Sequence, residues 1–356
     1  MSASEERAKL PWSRRKKILM YLLGFVLLLL ALLGIFVVRP LMAYRPAAVE
    51  EVVIQGRASS SGVEQLSVLS WNIGYAGLSK DDEFFADGGR RFRTRSRSTV
   101  QSNLEAISEV LRAHDATVVL VQEASSANFV THGIDVSSGL QESLGGYSFS
   151  FAPTVNVQGV PFMGDLRIGQ ATFSKVAAVS SERHALASGT VGIGLTAQHH
   201  HALVTRLAGS PRWVFFNLHL AAFDKGDLRV GQVKQIIELA VQEYEAGSLV
   251  VLGGDWNLLL ADTEFPYSES KSARFWVRAF PEGVVPSGWR FAVDKHKPTV
   301  RTLTQPYQKG VNYTAIIDGF LVSPNVEIVD VETIDLQFQH SDHNPVRAVL
   351  RPLAAN

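Results

Sequence analysis

Polar residues that break into apolar, strand-like runs are the positions in this sequence that could do chemistry, because open α/β sheets place ligands beyond the carboxyl ends of their strands. Five such interruptions occur: Trp71-Asn72, Gln122-Glu123, Asn217-Leu218-His219-Leu220, Gly253-Gly254-Asp255-Trp256-Asn257 and Ser341-Asp342-His343-Asn344. Strand alternation aims Asn217 and His219 to one side, Leu218 and Leu220 to the other, and it aims Asp255 together with Asn257. Singly, each has an ordinary explanation, since a lone strand-end histidine is more often a hydrogen-bonded structural residue and a lone Gly-Gly-Asp more often a turn. Jointly they supply Asn72, Glu123, His219, Asp255, Asn257, Asp342 and His343, a hard-oxygen and imidazole set that suits Mg²⁺, or Mn²⁺, and a phosphoryl substrate. Cysteine is absent, which removes disulfide scaffolds, thiolate zinc sites and cysteine nucleophiles together.

The elements that must position these residues alternate between two periods. Gln65 to Trp71 reads as a strand, and Thr99 to His114 carries Val100, Leu104, Ile107, Val110 and Leu111 along one helical face. Thr117 to Val121, Arg212 to Leu218 and Leu249 to Leu252 are further strands, and Leu228 to Tyr244 is a helix between the last two. Near the C-terminus come the strand-like Ala315 to Val322, Val326 to Val331 and Pro345 to Leu350. Mixed strands with intercalated helices predict an α/β fold. The chain is 46% hydrophobic and 19% charged, which excludes low-complexity disorder. There is no internal repeat and no second linker.

Ile18 to Val38 is uncharged throughout, and at about 1.5 Å per residue a helix of that length crosses the roughly 30 Å hydrocarbon core. A cleaved signal peptide is the rival reading, but its apolar region is shorter and no clear small-x-small site follows. Six basic residues precede the segment, Arg7, Lys9, Arg14, Arg15, Lys16 and Lys17, so the positive-inside rule places the N-terminus in the cytoplasm and the remainder outside it. The expected organisation is a basic cytoplasmic tail over 1–17, a transmembrane helix over 18–38, a juxtamembrane linker over 39–65 and a catalytic domain over 66–353. Net charge is zero overall, but residues beyond 17 carry 28 basic and 32 acidic side chains, a formal −4.

With these motifs on the page, the sequence resembles the endonuclease/exonuclease/phosphatase superfamily, metal-dependent phosphoesterases that include deoxyribonucleases, abasic-site endonucleases, inositol-polyphosphate phosphatases and neutral sphingomyelinases. The motifs stand in family order: W-N at 71–72, Q-E at 122–123, N-L-H-L at 217–220, G-D-W-N at 254–257, I-D-G-F at 317–320 and S-D-H at 341–343. Within the superfamily, G-Y-A-G-L at 74–78, F-F-A-D-G-G at 84–89 and S-D-H-N-P-V at 341–346 look like a membrane-associated bacterial branch. The resemblance implies a four-layer α/β sandwich of two mixed β-sheets flanked by helices. It also implies a role for each matching residue: Glu123 as the principal metal-binding carboxylate, with Asn72 beside it and Asp342 as a further ligand. Asp255 and Asn257 would position the attacking water and the scissile phosphate. Asp318 would fix the tautomer of His343, and His219 would contact the phosphate or protonate the leaving oxygen.

Uncatalysed phosphate-ester hydrolysis is slow enough to demand up to about 10²¹-fold acceleration, so several effects must act together. A divalent ion offsets phosphoryl charge, and imidazole, with a pKa of about 6.5, suits proton transfer near neutrality. The expected reaction is in-line attack by water activated at His343 or Asp255, with His219 stabilising the departing oxygen.

Substrate contacts are expected at Asn217, Arg301 and Arg91, the last within the run Arg90, Arg91, Arg93, Arg95 and Arg97, whose bland reading is a solvated loop. Arg167 and Gln170 lie where relatives contact substrate, though the local match is loose. His199 to His201 read as a surface loop, because consecutive strand residues cannot converge on one ion. Asp81, Asp82 and Glu83 miss calcium-loop spacing and read as solvated charge. Trp71 and Trp256 are expected to pack in the core. Three functions compete: a membrane-anchored phosphodiesterase or phosphatase acting on a small phosphoester or lipid headgroup, an extracytoplasmic nuclease, and a catalytically silent binding module. The −4 balance weighs against nucleic acid, every motif position carries a competent side chain, and no protein partner is indicated.

Overall fold

The computed structural model of the chain describes residues 14–38, 43–56, 58, 65–159, 164–191, 196–222, 224 and 227–354. Most of the 1–17 tail and parts of the 39–65 linker therefore lie outside the described residues. Helix Arg14–Leu33 continues as a π-helical turn at Gly34–Val38, and Lys16–Phe36 is long and apolar enough to cross a membrane by length and composition. Its large side chains are exposed rather than packed on the domain.

The strand-and-helix alternation folds into two mixed sheets lying face to face. One has six strands in the spatial order Val326–Thr333, Val346–Pro352, Leu66–Asn72, Val118–Ser125, Leu166–Ser174 and Ser148–Val157. The other has seven, in the order Val49–Glu51, Ala178–Ala185, His201–Leu207, Trp213–His219, Leu249–Asp255, Asp318–Val322 and Arg290–Ala292. Leu120, Phe215, Val251, Phe320 and Ala348 fill the space between them. Helices Arg97–His114 and Val136–Ser143 cover the outer face of the first sheet through Leu104, Ile107, Leu111 and Leu140. Helix Asp227–Glu245 covers the second through Val233, Ile236 and Ala240. The result is the expected four-layer sandwich, closed because each amphipathic face finds an apolar partner.

The strands run further than their apolar cores suggest. Val118–Ser125 and Leu249–Asp255 extend through the polar motif residues, because ladder hydrogen bonding continues where side-chain hydrophobicity stops. In the latter strand Gly254 has φ +147°, and a Cβ there would lie 2.0 Å from the Leu218 carbonyl oxygen, so only glycine lets the two parallel strands close up at this point.

Three expectations about surface residues are corrected. His200 and His201 are buried, not in a surface loop, and His201 opens the strand His201–Leu207. Asp82 is buried rather than solvated, accepting from Ser79 N and Oγ and pairing with Arg95 Nε at 2.9 Å. Three of the five clustered arginines are anchors for their loop: Arg95 through Asp82, Arg93 through the Phe129 carbonyl and His132, and Arg97 through the His132 carbonyl.

Candidate active site

Strand register brings the motifs to one end of the sandwich. Asp255 is paired across the parallel ladder with His219 and across the antiparallel ladder with Asp318, so one central carboxylate stands between them at the sheet edge. On the facing sheet Asn72 pairs with Gln122. A register shift between Val121 and Ala124 makes Gln122 and Glu123 a bulge opposite Gln170, with Glu123 at φ 58°. A left-handed non-glycine residue is strained, and a bulge re-aims its side chain. Here the outcome is that Glu123 lines the cleft instead of turning into the opposite layer.

The side chains then meet. Asn72 Nδ2 donates to Glu123 Oε1 at 3.2 Å and to Asp255 Oδ2 at 3.1 Å, while its Oδ1 accepts from Gly74 N at 3.0 Å. Asn72 thus orients two carboxylates through its amide nitrogen, while its oxygen accepts one backbone hydrogen bond and keeps a second lone pair for a ligand. His219 Nε2 lies 3.8 Å from Glu123 Oε1 and 3.6 Å from Asp255 Oδ2, beyond hydrogen-bond range and free to reach a substrate. His343 Nδ1 is 2.9 Å from Asp318 Oδ2, and its Nε2 is 3.8 Å from Asp255 Oδ2 and 3.9 Å from Asp342 Oδ2. Asn257, at φ 50°, donates Nδ2 to the Leu220 carbonyl and its backbone N to Asp255 Oδ1.

Four carboxylates, Glu123, Asp255, Asp318 and Asp342, share this buried corner. Burial raises the Glu123 carboxyl pKa; the His219 imidazole opposes that shift and the Asp342 carboxylate reinforces it. Burial likewise raises Asp342 and Asp318, each opposed by His343. For His343 itself, burial acts to lower the pKa, but the carboxylates of Asp318, Asp255 and Asp342 outweigh it and hold it well above the ordinary value. Within the tightly hydrogen-bonded Asp318–His343 pair we place the shared proton on the imidazole, because three carboxylates face that ring.

This donor chemistry fits a divalent cation. Ser341 Oγ has one proton, and the Asn72 carbonyl at 2.7 Å takes it in preference to Asp342 Oδ1 at 3.3 Å. Asp342 and Glu123 are thus left as crowded, under-donated carboxylates. Asp255, Asp318 and His343 also offer ligand atoms within 4.8 Å of one another, but Asp318 and His343 already satisfy each other.

The cleft has an open volume of about 230 Å³ and is lined on one wall by Tyr75, Leu78, Phe84 and Leu303, below the ~300–1,000 Å³ of drug-sized pockets. Tyr75, quoted in the G-Y-A-G-L motif but given no role there, has its pKa raised well above the ordinary value by burial, Glu123 and Asp342, so its phenol stays protonated beside the carboxylates. Two of the expected substrate contacts are not in the cleft. Asn217 is wholly buried between the sheets, accepting from Gln122 Nε2 and donating to the Val121 and Ala171 carbonyls. Arg91 is exposed outside the cleft lining. Arg301 does line the cleft, but Nη1 and Nη2 go to the carbonyls of Thr302, Gln305, Ser79 and Asp82, so its main work is to tie loops together. Gln170 is buried and bonded to the His201 and Asn217 carbonyls, and Arg167 stacks over Phe151. Trp71 and Trp256 pack in the core as expected, and each also donates its indole N–H, to the His343 and Gly319 carbonyls respectively.

The sequence model of the endonuclease/exonuclease/phosphatase family matches residues 69–343, most of the domain and all six motifs. The chain belongs to that family. None of the curated proteins compared matches it. Among solved structures, an endonuclease/exonuclease/phosphatase from Bacteroides vulgatus is similar at TM-score 0.53 and 15% identity, covering 81% of this chain and 99% of that one. ANGEL2, a 2′,3′-cyclic phosphatase solved with adenosine-2′,3′-vanadate, is similar at TM-score 0.52 and 17% identity, covering 82% and 96%. TDP2 of D. rerio, solved with a single-strand DNA product, is similar at TM-score 0.50 and 14% identity, covering 81% and 100%. At these identities the likeness shows the shared fold.

The buried histidines beside the cleft set an acid limit on stability. Burial, chiefly, pushes His200 down to about 4 and His201 down to about 3. The unfolded chain protonates both near pH 6.5 while the folded chain does not, so stability present above that pH is lost as pH falls. At about 1.4 kcal/mol per pKa unit, each histidine costs about 2 kcal/mol between pH 7 and pH 5. His201→Phe is therefore expected to lose about 2 kcal/mol less than wild type over that interval in urea unfolding; parallel pH profiles would contradict it.

Proposed function

We propose that this chain is a membrane-anchored, divalent-metal-dependent phosphoesterase that hydrolyses a small phosphoester outside the cytoplasm. The observation that carries the reading is the convergence of Glu123, Asp342, Asp255, His219 and the Asp318–His343 pair on one cleft. Glu123 and Asp342 would hold the ion, which supplies charge neutralisation at the phosphoryl oxygens. Mg²⁺ fits their hard oxygens, and Mn²⁺ would substitute. The positively charged His343, fixed by Asp318, donates Nε2–H to a phosphoryl oxygen. Asp255, held by Asn72 and the Asn257 backbone, accepts the proton of the attacking water. His219, whose side chain makes no hydrogen bond among the described residues, protonates the departing alkoxide as the phosphorus–oxygen bond breaks, and Asn257 steadies the phosphate.

The exposed apolar helix at Lys16–Phe36 and the basic residues before it support the anchor and its orientation. Tethering raises encounter with a lipid headgroup, which is one candidate substrate; a nucleic-acid substrate is the second reading, favoured only by the DNA product of the TDP2 neighbour. The test is a panel of sphingomyelin, phosphoinositides, plasmid and a bis-aryl phosphodiester incubated with the full chain in detergent, with Mg²⁺ or EDTA. Turnover of a small ester or headgroup that EDTA abolishes is expected. Plasmid cleavage outpacing the small esters would move the assignment to a nuclease, and no metal-dependent turnover would leave a binding module.

A further inference from the structure

Resting on the membrane-anchored reading, the course of the chain after its apolar helix decides which end of the sandwich meets the bilayer. The described part of the juxtamembrane segment is not a free tether. Val49–Glu51 pairs antiparallel with Ala178–Ala185 at a sheet edge. The Ala48 carbonyl accepts from Ala185 N at 2.7 Å, and Gln55 exchanges backbone hydrogen bonds with Phe149 at 2.8 Å. Ahead of these, Tyr44 packs edge-on against His199, ring centroids 5.0 Å apart, and donates Oη to the Pro153 carbonyl at 3.4 Å. Both contacts lie at the rim of the cleft, because the flanking residues Thr154, Val155, Gln198 and His200 line it. Tyr44 follows the helix end at Val38 by six residues, at most about 20 Å of extended chain, whereas a domain of this size is roughly 50 Å across. The tether is too short for the far end to reach the bilayer, so the cleft end is the one held there.

Another part of the same rim has the composition of a membrane contact. Phe84 and Asp87 line the cleft, and their loop closes on itself through Phe85 N to the Arg91 carbonyl at 2.8 Å and Gly89 N to the Phe84 carbonyl at 2.9 Å. From this loop Phe85 and Phe92 stand 58% and 66% exposed. Arg90 and Arg91 beside them are exposed too, and their guanidinium groups have no partner among the described residues. Beyond the apolar helix, Phe85, Phe92 and Phe275 are the exposed large aromatic side chains among the described residues, and Phe275 borders the same groove as Asp87 and Gly88. Arg45 adds an exposed cation next to Tyr44. Of the carboxylates nearby, Asp81 and Asp82 pair with Arg95 and Asp87 lines the cleft, which leaves Glu83 against Arg45, Arg90 and Arg91. Apolar rings enter the boundary between headgroups and acyl chains, and flanking cations pair with anionic lipid.

We infer that the loop over 84–92 is a bilayer-docking surface, which seats Phe85 and Phe92 in an anionic membrane and holds the mouth of the cleft against it. Cysteine is absent, so Phe92→Cys and Ala246→Cys each accept a single bimane label. Ala246 precedes the strand Leu249–Asp255, at the end opposite Asp255. The full chain is placed in vesicles of phosphatidylcholine, with or without phosphatidylglycerol, that contain nitroxide-labelled lipid. The label at 92 should be quenched, more strongly with phosphatidylglycerol, and the label at 246 should not. One cation beside an anionic surface is worth about fivefold, so Arg90→Gln with Arg91→Gln should lower the ratio of seated to lifted domain roughly 30-fold in phosphatidylglycerol vesicles. Quenching at 92 should then return to its level in phosphatidylcholine alone, with thermal melting unchanged. Equal quenching at the two positions, none at 92, or quenching at 92 that the double substitution leaves unaltered would overturn the inference, and the anchor stands if the vesicles keep the chain through an alkaline carbonate wash. Release of the chain by carbonate would overturn both.

Discussion

Glu123→Gln is expected to lower kcat/KM by roughly 10³-fold or more, beyond the 10²–10³ lost with a single transition-state donor, while the domain melts at a higher temperature in EDTA. The two effects have one cause. Glu123 sits in a bulge at φ 58° with its carboxylate against Asn72 and close to Asp255 and His219. Glutamine is nearly isosteric, so the strained backbone and the packing survive, but an amide neither neutralises nor binds a cation as a carboxylate does. For stability the sign follows from the raised pKa: burial, reinforced by Asp342, makes the folded chain bind its proton more tightly than the unfolded chain. Stability is then lost as pH rises from the ordinary carboxyl value through the raised folded-state value, and above it the ionised group is a cost that Gln removes. Saturating Mg²⁺ should reverse the order, because ligand binding stabilises only the chain that retains the site. Scanning calorimetry of both proteins in EDTA and in Mg²⁺, beside a turnover assay, checks both halves. A variant that hydrolyses like wild type, or that melts lower in EDTA, would remove Glu123 from the metal site.

The convergence of these residues was legible because each motif ends a strand, and strand ends of one sandwich share an edge. Asp255, His219 and Asp318 follow directly: they are cross-strand neighbours in a register fixed by the apolar pattern. Glu123 was legible as chemistry but not as geometry, since simple alternation from Gln122 would turn it out of the site, and only the bulge turns it in. Asn217 misled for the converse reason. Alternation aimed it to the same side as His219, but periodicity does not report whether such a polar group meets substrate or a neighbouring strand. His200 and Asp82 were misread because polar runs look solvated in one dimension. Their partners, the His219 carbonyl and Arg95, are supplied by tertiary structure. The neighbouring strands Ser148–Val157 and Ala178–Ala185 escaped notice because their burial alternates weakly.

Asp318→Asn is expected to cut kcat by roughly 10²–10⁴-fold, the range for a mispositioned or wrongly charged imidazole, and its pH profile decides what His343 does. Asp318 is the largest of the carboxylate influences that hold His343 well above its ordinary pKa against the pull of burial. Replacing that charge with an amide leaves the 2.9 Å contact sterically possible but lowers the affinity of the ring for its proton. If His343 works as the charged donor proposed above, activity falls as it deprotonates, and the alkaline limb of the kcat profile moves to lower pH in the variant. If His343 instead takes the proton from water, activity rises as it deprotonates, and the acid limb is the one that moves to lower pH. The direction is the same, and the limb that moves identifies the role. Asp255→Asn supplies the complement: if Asp255 takes the proton of the attacking water as proposed, hydrolysis should fall by a comparable factor while the fold is kept. An Asp318→Asn enzyme with wild-type kcat and both limbs unmoved would show that the buried Asp318–His343 pair stabilises the fold without acting on the phosphate.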